Sequence, residues 1–337
     1  MKREEFLRSL EPLKNVLSEN NDDVKNIIQE AYTMNSWFIP EFTLHALSAI
    51  SSEFLDAEKC ENWLNQYHIG NHISKRIGIV MAGNIPLVGF HDLFCVLASG
   101  HQAVVKLSDK DSVLMKFLME EWRKVYPDLA TRVHFTNKLE GFEAVIATGS
   151  NNSSRYFEYY FRNHPHILRR NRNGVAVLSG NESARELLKL ADDIFLYFGL
   201  GCRSVSHIYV PENYSFELWD VAIEKWKYLA DHNKYKNNLD YNFAIYIINQ
   251  VPHLNLESLI LKEDEAIPSR IGCVHYSYYS EEESLIRLLA SKREEIQCIA
   301  SAEKIKDWDH IRFGQSQYPA LNQYADGVDT MTFLTSL

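Results

Sequence analysis

The sequence has few cysteines, and none of them are in a Cys-x-x-Cys spacing. Its five cysteines are scattered through 337 residues, a pattern that indicates neither a disulfide framework nor a zinc site, so we expect no metal. Basic residues are also in the minority, 35 against 45 acidic ones, giving a net charge of −10. This balance argues against broad binding to nucleic acids or anionic membranes, because both need a basic surface.

The sequence also lacks an uninterrupted hydrophobic run long enough to span a membrane. The most apolar stretch, 77–100, is interrupted by Asn84, Pro86 and Asp92, which are costly in hydrocarbon. No apolar segment follows the basic residues near the amino terminus, so no secretory leader is expected. Low-complexity tracts are missing too, and 12% of the residues are aromatic. We therefore expect a folded cytoplasmic protein.

Short apolar runs alternate with helical patterns from residue 77 onward. Residues before that point carry leucines at helical spacing. Strands are expected at 77–81, 103–106, 132–135, 144–147, 175–178 and 205–210, and helices at 87–98, 113–122, 156–161 and 182–197. This alternation predicts an α/β protein in which a doubly wound parallel sheet binds ligands at the carboxyl ends of its strands. We place the domains at 1–174, 175–310 and 311–337, with a second α/β domain in the middle segment and a strand near Met331–Leu334.

Cys202 is the candidate nucleophile. It follows Gly199-Leu200-Gly201, between a predicted helix and a predicted strand. Such a turn can expose a thiol and leave backbone N–H groups free to bind an oxyanion. The Gly-x-Gly is not a dinucleotide fingerprint, because it follows a helix rather than a strand. The other cysteines are expected to be structural: Cys95, Cys273 and Cys298 as core thiols, and Cys60 on a helix surface.

Polar residues end or follow three of the predicted strands. Asn84 fits an ordinary turn residue, and equally an amide donor aimed at developing negative charge. Lys106 fits a solvated lysine, or a contact to a cofactor's ribose or phosphate at the end of a strand. Thr148, Gly149 and Ser150 open a helix, whose N-terminal N–H groups suit an anion.

Together and in this order, these motifs resemble the aldehyde dehydrogenase superfamily. They are Gly-Asn-x-Pro, Val-Val-Lys-x-Ser-Asp, Thr-Gly-Ser and Phe-x-x-x-Gly-x-x-Cys, spread over 77–210. The match looks closest to the acyl-CoA reductase branch, which includes the fatty-acid reductase of bacterial luminescence. The resemblance implies that Cys202 is the nucleophile, Asn84 binds the oxyanion, Lys106 and Asp109 contact the adenosine ribose, and Thr148, Gly149 and Ser150 lie near the pyrophosphate of NADPH or NADH. It also implies a tail that returns across the core and a homo-oligomer.

One departure from the family pattern bears on the reaction. Oxidising members carry Glu-Leu-Gly-Gly ahead of the cysteine, and that glutamate activates the hydrolytic water. The corresponding stretch here, 168–174, has no carboxylate. The resemblance therefore implies reduction of a fatty acyl thioester, from acyl-CoA or acyl-carrier protein, to an aldehyde. An acyl-phosphate reductase similar to glutamyl-phosphate reductase, and a catalytically silent nucleotide- or acyl-binding subunit, remain open.

A locally basic segment contains Arg169 and Arg170. It fits a solvated face, or a site for coenzyme A phosphates, a 2′-phosphate or an acidic carrier protein. Asp109 favours NADH because it would repel a 2′-phosphate. The arginines and the luminescence relatives favour NADPH, so the nucleotide stays open. His207, on the strand after Cys202, is either structural or lowers the pKa of the thiol.

Overall fold

The computed structural model describes residues 3–69, 73–149 and 151–337. The chain forms two compact units, one of Met1–Asn171 with Pro319–Leu337 and the other of Arg172–Tyr318. The division after Asn171 comes three residues before the boundary that we expected at 174. The stretch 311–337, which we treated as one tail, is shared between the two units.

Four helices open the first unit, as the leucine spacing predicts: α1 (Arg3–Val16), α2 (Asp22–Met34), α3 (Pro40–Glu53) and α4 (Ala57–Leu64). Phe6 of α1 packs against Phe94 and Trp122, with ring centroids 5.2 and 5.7 Å away. The expectation that Cys60 lies on a helix surface is wrong. Its thiol is fully buried, because it lies on the face of α4 that also buries Trp63 and Leu64.

The first unit contains a five-stranded parallel sheet of β1 (Arg76–Val80), β2 (Gln102–Lys106), β3 (Val133–Phe135), β4 (Ala144–Thr148) and β5 (His166–Arg169). The strand order is β3-β2-β1-β4-β5, and β1 is central. Ile79 of β1 pairs with Val105 on one side and Ile146 on the other, and all three are buried. This order is that of a doubly wound sheet, whose ligand crevice lies beyond the carboxyl ends of β1 and β4.

The connections between these strands are α5 (Phe90–Ala98), α6 (Val113–Val125) with the short 3₁₀ helix Pro127–Thr131, and α7 (Asn151–Phe161). Helix α5 begins three residues later than the expected start at Leu87. Leu87 has a φ of 57°, in the left-handed region, and therefore cannot continue an α-helix.

The second unit is built on a six-stranded sheet. Its elements are β6 (Asn173–Val177), α8 (Ala184–Phe195), β7 (Val205–Pro211), α9 (Trp219–Ala222), α10 (Asn233–Ile248), β8 (Leu254–Asn255), β9 (Ile260–Glu263), β10 (Cys273–Tyr279), α11 (Glu282–Ser291) and β11 (Ile296–Ser301). The order is β11-β6-β7-β10-β9-β8, and only the edge strand β8 runs antiparallel. Ser183 and Glu186 form a capping box that fixes the start of α8. The α/β class with two α/β units is thus confirmed.

The last residues return to the first unit. Tyr324 accepts a hydrogen bond from Trp63 Nε1 at 2.8 Å and contacts the hydroxyl of Tyr67 at 2.6 Å. The strand expected near Met331 is wrong: 330–335 form helix α12 (Thr330–Thr335). Asp329 caps this helix by accepting the N–H of Thr332 at 2.8 Å.

Candidate active site

Cys202 lies on a turn that the chain enters through a strained connection. After α8, Tyr197 and Phe198 both have a φ of 57°, and Gly199 has a φ of 71°. Left-handed backbone costs about 1 kcal/mol or more for a residue with a side chain, so packing must hold it in place. Both aromatic side chains are buried, and they supply that packing. Cys202 follows this connection, lies between α8 and β7 in the chain, and is partly exposed.

The turn itself is closed by Ser204. Its N–H donates to the carbonyl of Gly201 at 3.0 Å, and its hydroxyl oxygen accepts the N–H of Gly201 at 3.2 Å. The same hydroxyl oxygen accepts a hydrogen bond from Gln317 Nε2 at 3.2 Å. The segment 314–317 therefore supports the turn that carries Cys202.

Asp193 holds the 314–317 segment in turn. Its carboxylate accepts the N–H of Gly314 at 2.6 Å and the N–H of Ser316 at 2.9 Å. Burial raises the pKa of Asp193 to about 6, and the two backbone donors act against that rise. No sequence signal marks this contact, because 312–319 is only a polar, turn-rich stretch.

The thiol of Cys298 lies beneath this turn and is unsuited to nucleophilic attack. Its Sγ is 3.8 Å from the carbonyl oxygen of Arg203, the residue after Cys202. Burial raises the pKa of Cys298 to about 12, so it stays a thiol at neutral pH. Cys298 is only half-buried, like Cys202, so it differs from the fully buried core thiol expected from its apolar strand. Its raised pKa nevertheless makes it a natural control for Cys202.

His207 is structural, and the alternative that it lowers the thiol pKa is wrong. Its Nδ1 donates to the carbonyl of Ala266 at 3.1 Å, and its Nε2 accepts from the hydroxyl of Ser277 at 2.9 Å. Burial lowers the pKa of His207 to about 4. The imidazole is therefore neutral at pH 7 and supplies no positive charge to a thiolate.

The candidate oxyanion donor, Asn84, is exposed on the loop between β1 and α5. The nucleotide candidates lie at the same edge of this sheet. Lys106 ends β2 beside Val80, the last residue of β1, and Thr148 ends β4 on the other side of β1. Lys106 and Asp109 are both exposed, and Thr148 is half-buried.

Gly149 lies too close to α7 to carry a side chain. A Cβ at this position would lie 2.7 Å from the ring of Phe157 and 2.9 Å from Cβ of Ser153. The backbone thus passes directly over the first turns of α7, at the crevice where doubly wound sheets bind pyrophosphate. Lys106, Asp109, Thr148 and Gly149 thus lie at one edge of the sheet, and their roles in nucleotide binding stay predictions. Ser150, the third residue of this motif, lies outside the described residues.

The structure gives Arg169 a different role from the substrate-binding one expected. Its side chain is 4% exposed and binds Asp92 through two hydrogen bonds, of 3.1 and 2.6 Å. Further hydrogen bonds reach the carbonyl of Ala325 at 2.6 Å and the hydroxyl of Thr330 at 2.8 Å. This guanidinium binds the returning tail and is buried away from any ligand. Arg170 is exposed, paired with Glu158 at 2.8 Å, and stays a prediction as an anion site.

The site candidates are divided between the units. Asn84, Lys106, Asp109, Thr148 and Gly149 belong to the first unit, which brings them to one sheet edge; Cys202 belongs to the second. Across the described residues, no group of three or more histidine, cysteine or acidic side chains is arranged to hold a metal ion. In the same part of the chain, no helix is long and apolar enough to cross a membrane.

No protein-family model and no curated protein sequence matches the chain. Solved structures do. Aldehyde dehydrogenase C of Pseudomonas syringae, in complex with NAD+ and octanal, superposes with a TM-score of 0.65 at 9% identity, over 90% of this chain and 73% of that one. Aldehyde dehydrogenase 21 of Physcomitrella patens, in complex with succinate, gives 0.65 at 11% identity over 100% and 84%. Betaine aldehyde dehydrogenase of Staphylococcus aureus, in complex with NAD+, gives 0.64 at 12% identity over 91% and 73%.

The chain has the aldehyde dehydrogenase fold. This finding agrees with the superfamily resemblance of the motifs in 77–210, while the acyl-CoA reductase branch stays a prediction. At identities of 9–12% the match describes the architecture only, so the reaction must be argued from the residues themselves.

Proposed function

We propose that this protein is an NAD(P)H-dependent reductase that converts an acyl thioester, from acyl-CoA or acyl-carrier protein, into an aldehyde. One observation carries the proposal: Cys202 is partly exposed on a braced turn of an aldehyde dehydrogenase fold, whereas 168–174 contains no carboxylate to activate water. A cysteine able to form an acyl-enzyme, without a base to hydrolyse it, favours acyl transfer and reduction over release of a free acid.

In this mechanism the Cys202 thiolate attacks the thioester carbonyl carbon. The backbone N–H of Cys202 donates to the oxyanion, and one such donor typically contributes about 3 kcal/mol. The family resemblance implies that the side-chain amide of Asn84 is a further donor. Collapse expels the coenzyme A thiolate, which takes up a proton, and leaves an acyl group on Cys202. When bound, the reduced nicotinamide supplies the hydride equivalent. The resulting thiohemiacetal of Cys202 then breaks its C–S bond to release aldehyde and restore the thiolate.

The residues at the sheet edge of the first unit are proposed to hold the nucleotide. Lys106 and Asp109 bind the adenosine ribose, and the N–H groups at the start of α7 bind the pyrophosphate. Asp109 favours NADH, whereas Arg170 would suit the extra phosphate of NADPH. Both nucleotides therefore belong in every assay.

The deciding experiment is the intact mass of the protein after incubation with a long-chain acyl-CoA without nucleotide. We expect a gain of one acyl group in the wild type and in Cys298→Ala, and none in Cys202→Ala. Adding NADH or NADPH should discharge the adduct as aldehyde. Asn84→Ala should slow acylation by about 100-fold or more, as expected for one lost oxyanion donor.

The other outcomes contradict the proposal in different ways. An adduct formed only from an acyl phosphate would assign the enzyme to the acyl-phosphate reductases. Nucleotide binding without an adduct from any donor would indicate a silent binding subunit. An adduct that persists in Cys202→Ala would show that the nucleophile is another residue.

A further inference from the structure

The carboxyl group of Asp111 is buried directly beside the loop that carries Asn84. Asp111 follows β2 and is 6% exposed. Its Oδ2 accepts the backbone N–H of Leu87 at 2.6 Å, across 24 residues of sequence. Leu87 is three residues after Asn84, so this hydrogen bond acts on the same short loop.

The hydrogen bond stabilises a backbone conformation that Leu87 would not adopt by itself. Its φ of 57° lies in the left-handed region, which side chains disfavour. Without Asp111, the Leu87 N–H would be buried without a hydrogen-bond acceptor. Because an unpaired buried N–H is unfavourable, the loop would relax toward ordinary helical geometry. That relaxation would extend α5 toward Pro86 and move Asn84.

A second contact joins the other end of this loop to the same turn. A Cβ on Gly83 would lie 2.5 Å from the hydroxyl oxygen of Ser108 and 3.2 Å from the N atom of Asp111. The turn is closed by a hydrogen bond from the N–H of Asp111 to the carbonyl of Ser108 at 3.1 Å. The loop that carries Asn84 thus approaches the 108–111 turn on both sides of Asn84, at Gly83 and at Leu87.

Burial of the Asp111 carboxyl group lowers the stability of the fold, so stability alone does not explain its place beside this loop. Its second oxygen, Oδ1, is buried and has no hydrogen-bond partner within the described part of the chain. Burial raises the pKa of Asp111 to about 7. A buried carboxyl with one oxygen unsatisfied destabilises a fold, and such groups concentrate where a site needs fixed geometry.

We propose that Asp111 is a positioning residue that fixes the Asn84 amide for oxyanion binding. The inference rests on the proposed function, because it gives Asp111 a role only through Asn84. Asp111 itself touches neither substrate nor nucleotide in this proposal. Its effect through Asn84 should therefore be on the rate of Cys202 acylation, and the affinity for NADH is measured separately because Asp109 lies in the same turn.

A double-mutant cycle tests this role. Asp111→Ala, Asn84→Ala and the double variant are compared with the full-length wild type in single-turnover acylation by a long-chain acyl-CoA. We expect Asp111→Ala to slow acylation 10- to 100-fold when Asn84 is present, and less than 2-fold in the Asn84→Ala background. Asp111→Asn should keep the wild-type rate within about 3-fold, because its amide oxygen can still accept the Leu87 N–H.

Two further measurements keep the outcome clear. The NADH dissociation constant and the thermal midpoint are measured for every variant, so that unfolding is not mistaken for slow chemistry. If Asp111→Ala does not fold, Gly83→Ala displaces the loop from its other end and should show the same non-additivity with Asn84→Ala.

Each result has one meaning. Equal slowing by Asp111→Ala in both backgrounds, or slowing in Asp111→Asn as large as in Asp111→Ala, would overturn the positioning role while leaving Asn84 as the donor. No slowing in Asn84→Ala itself would remove the oxyanion role from the proposed function, and the inference with it.

Discussion

Replacing Arg169 by alanine distinguishes a structural arginine from a ligand-binding one. The guanidinium makes four hydrogen bonds within its unit, two to Asp92, one to the carbonyl of Ala325 and one to Thr330. The side chains of Arg169 and Asp92 are 4% and 13% exposed, so water screens the pair little. Removing one partner of such a pair leaves an uncompensated buried charge and costs about 3–5 kcal/mol.

The expected result is a large loss of stability. For a unit of this size each kcal/mol lowers the thermal midpoint by about 2–4 °C, so Arg169→Ala should lower it by roughly 10 °C. Circular dichroism melting measures the shift. The KM for acyl-CoA, measured well below the lowered midpoint, should stay within 2-fold of wild type.

Arg170→Ala is the matched control, because Arg170 is the next residue and its ion pair with Glu158 is exposed. Exposed pairs contribute at most about 1 kcal/mol, so the midpoint should hardly move. Replacing both Arg169 and Asp92 by leucine should recover part of the lost stability, since no buried charge remains. A normal midpoint with a tenfold higher KM in Arg169→Ala would refute the structural role and restore the anion site.

Two further predictions follow from buried groups in the second unit. The unfolded imidazole of His207 binds a proton near pH 6.5 and the folded one only near pH 4, so stability falls as pH drops through this window, by up to about 3 kcal/mol. The free energy of unfolding of His207→Asn, measured with urea at each pH, should depend less steeply on pH in this window than that of the wild type. Equal dependence on pH would contradict the lowered pKa of His207. Asp193→Ala leaves the N–H groups of Gly314 and Ser316 without acceptors, which should cost about 2–4 kcal/mol in urea unfolding. It should also slow acylation of Cys202, and an unchanged acylation rate would show that the 314–317 segment does not control the thiol.

Four of the five strands of the first unit are predicted from the sequence because their information is local, whereas β5 is missed. Buried parallel strands are short apolar runs, and three of those here have a polar residue at or shortly after their carboxyl end: Asn84, Lys106 and Thr148. These same positions carry most of the candidate site.

The errors occur where a distant residue decides the local structure. Leu87 continues an apolar helical pattern, yet its N–H goes to Asp111 and the helix starts at Phe90. The residues 330–335 are rich in threonine and read as a strand, but the cap at Asp329 makes them helical. Cys60 stands between charged neighbours in sequence, while the periodicity of α4 turns it inward.

The supports of the site could not be found from the sequence for the same reason. Asp193 reaches Gly314 and Ser316 across more than 120 residues, and Gln317 reaches Ser204 across 113. None of these residues belongs to a motif. A buried aspartate that accepts backbone N–H groups looks, in sequence, like any aspartate near a helix.

Asp111 and Asp193 play the same structural role in the two units, because each accepts hydrogen bonds from backbone N–H groups of an irregular loop. A loop that departs from regular structure exposes backbone N–H groups with no partner from a helix or a sheet, and burying them unpaired is costly. A carboxylate only accepts hydrogen bonds, and it binds such donors more strongly than a neutral acceptor does. Its own burial opposes folding, as the raised pKa values of both residues show. Each buried carboxyl group therefore lowers the stability of its unit while it holds one loop in one conformation. Asp111 holds the Asn84 loop in the first unit. Asp193 holds the 314–317 segment, which supports the Cys202 turn, in the second. Since oxyanion binding depends on donor positions to within about 0.5 Å, a rigid loop increases the rate even where it lowers the stability.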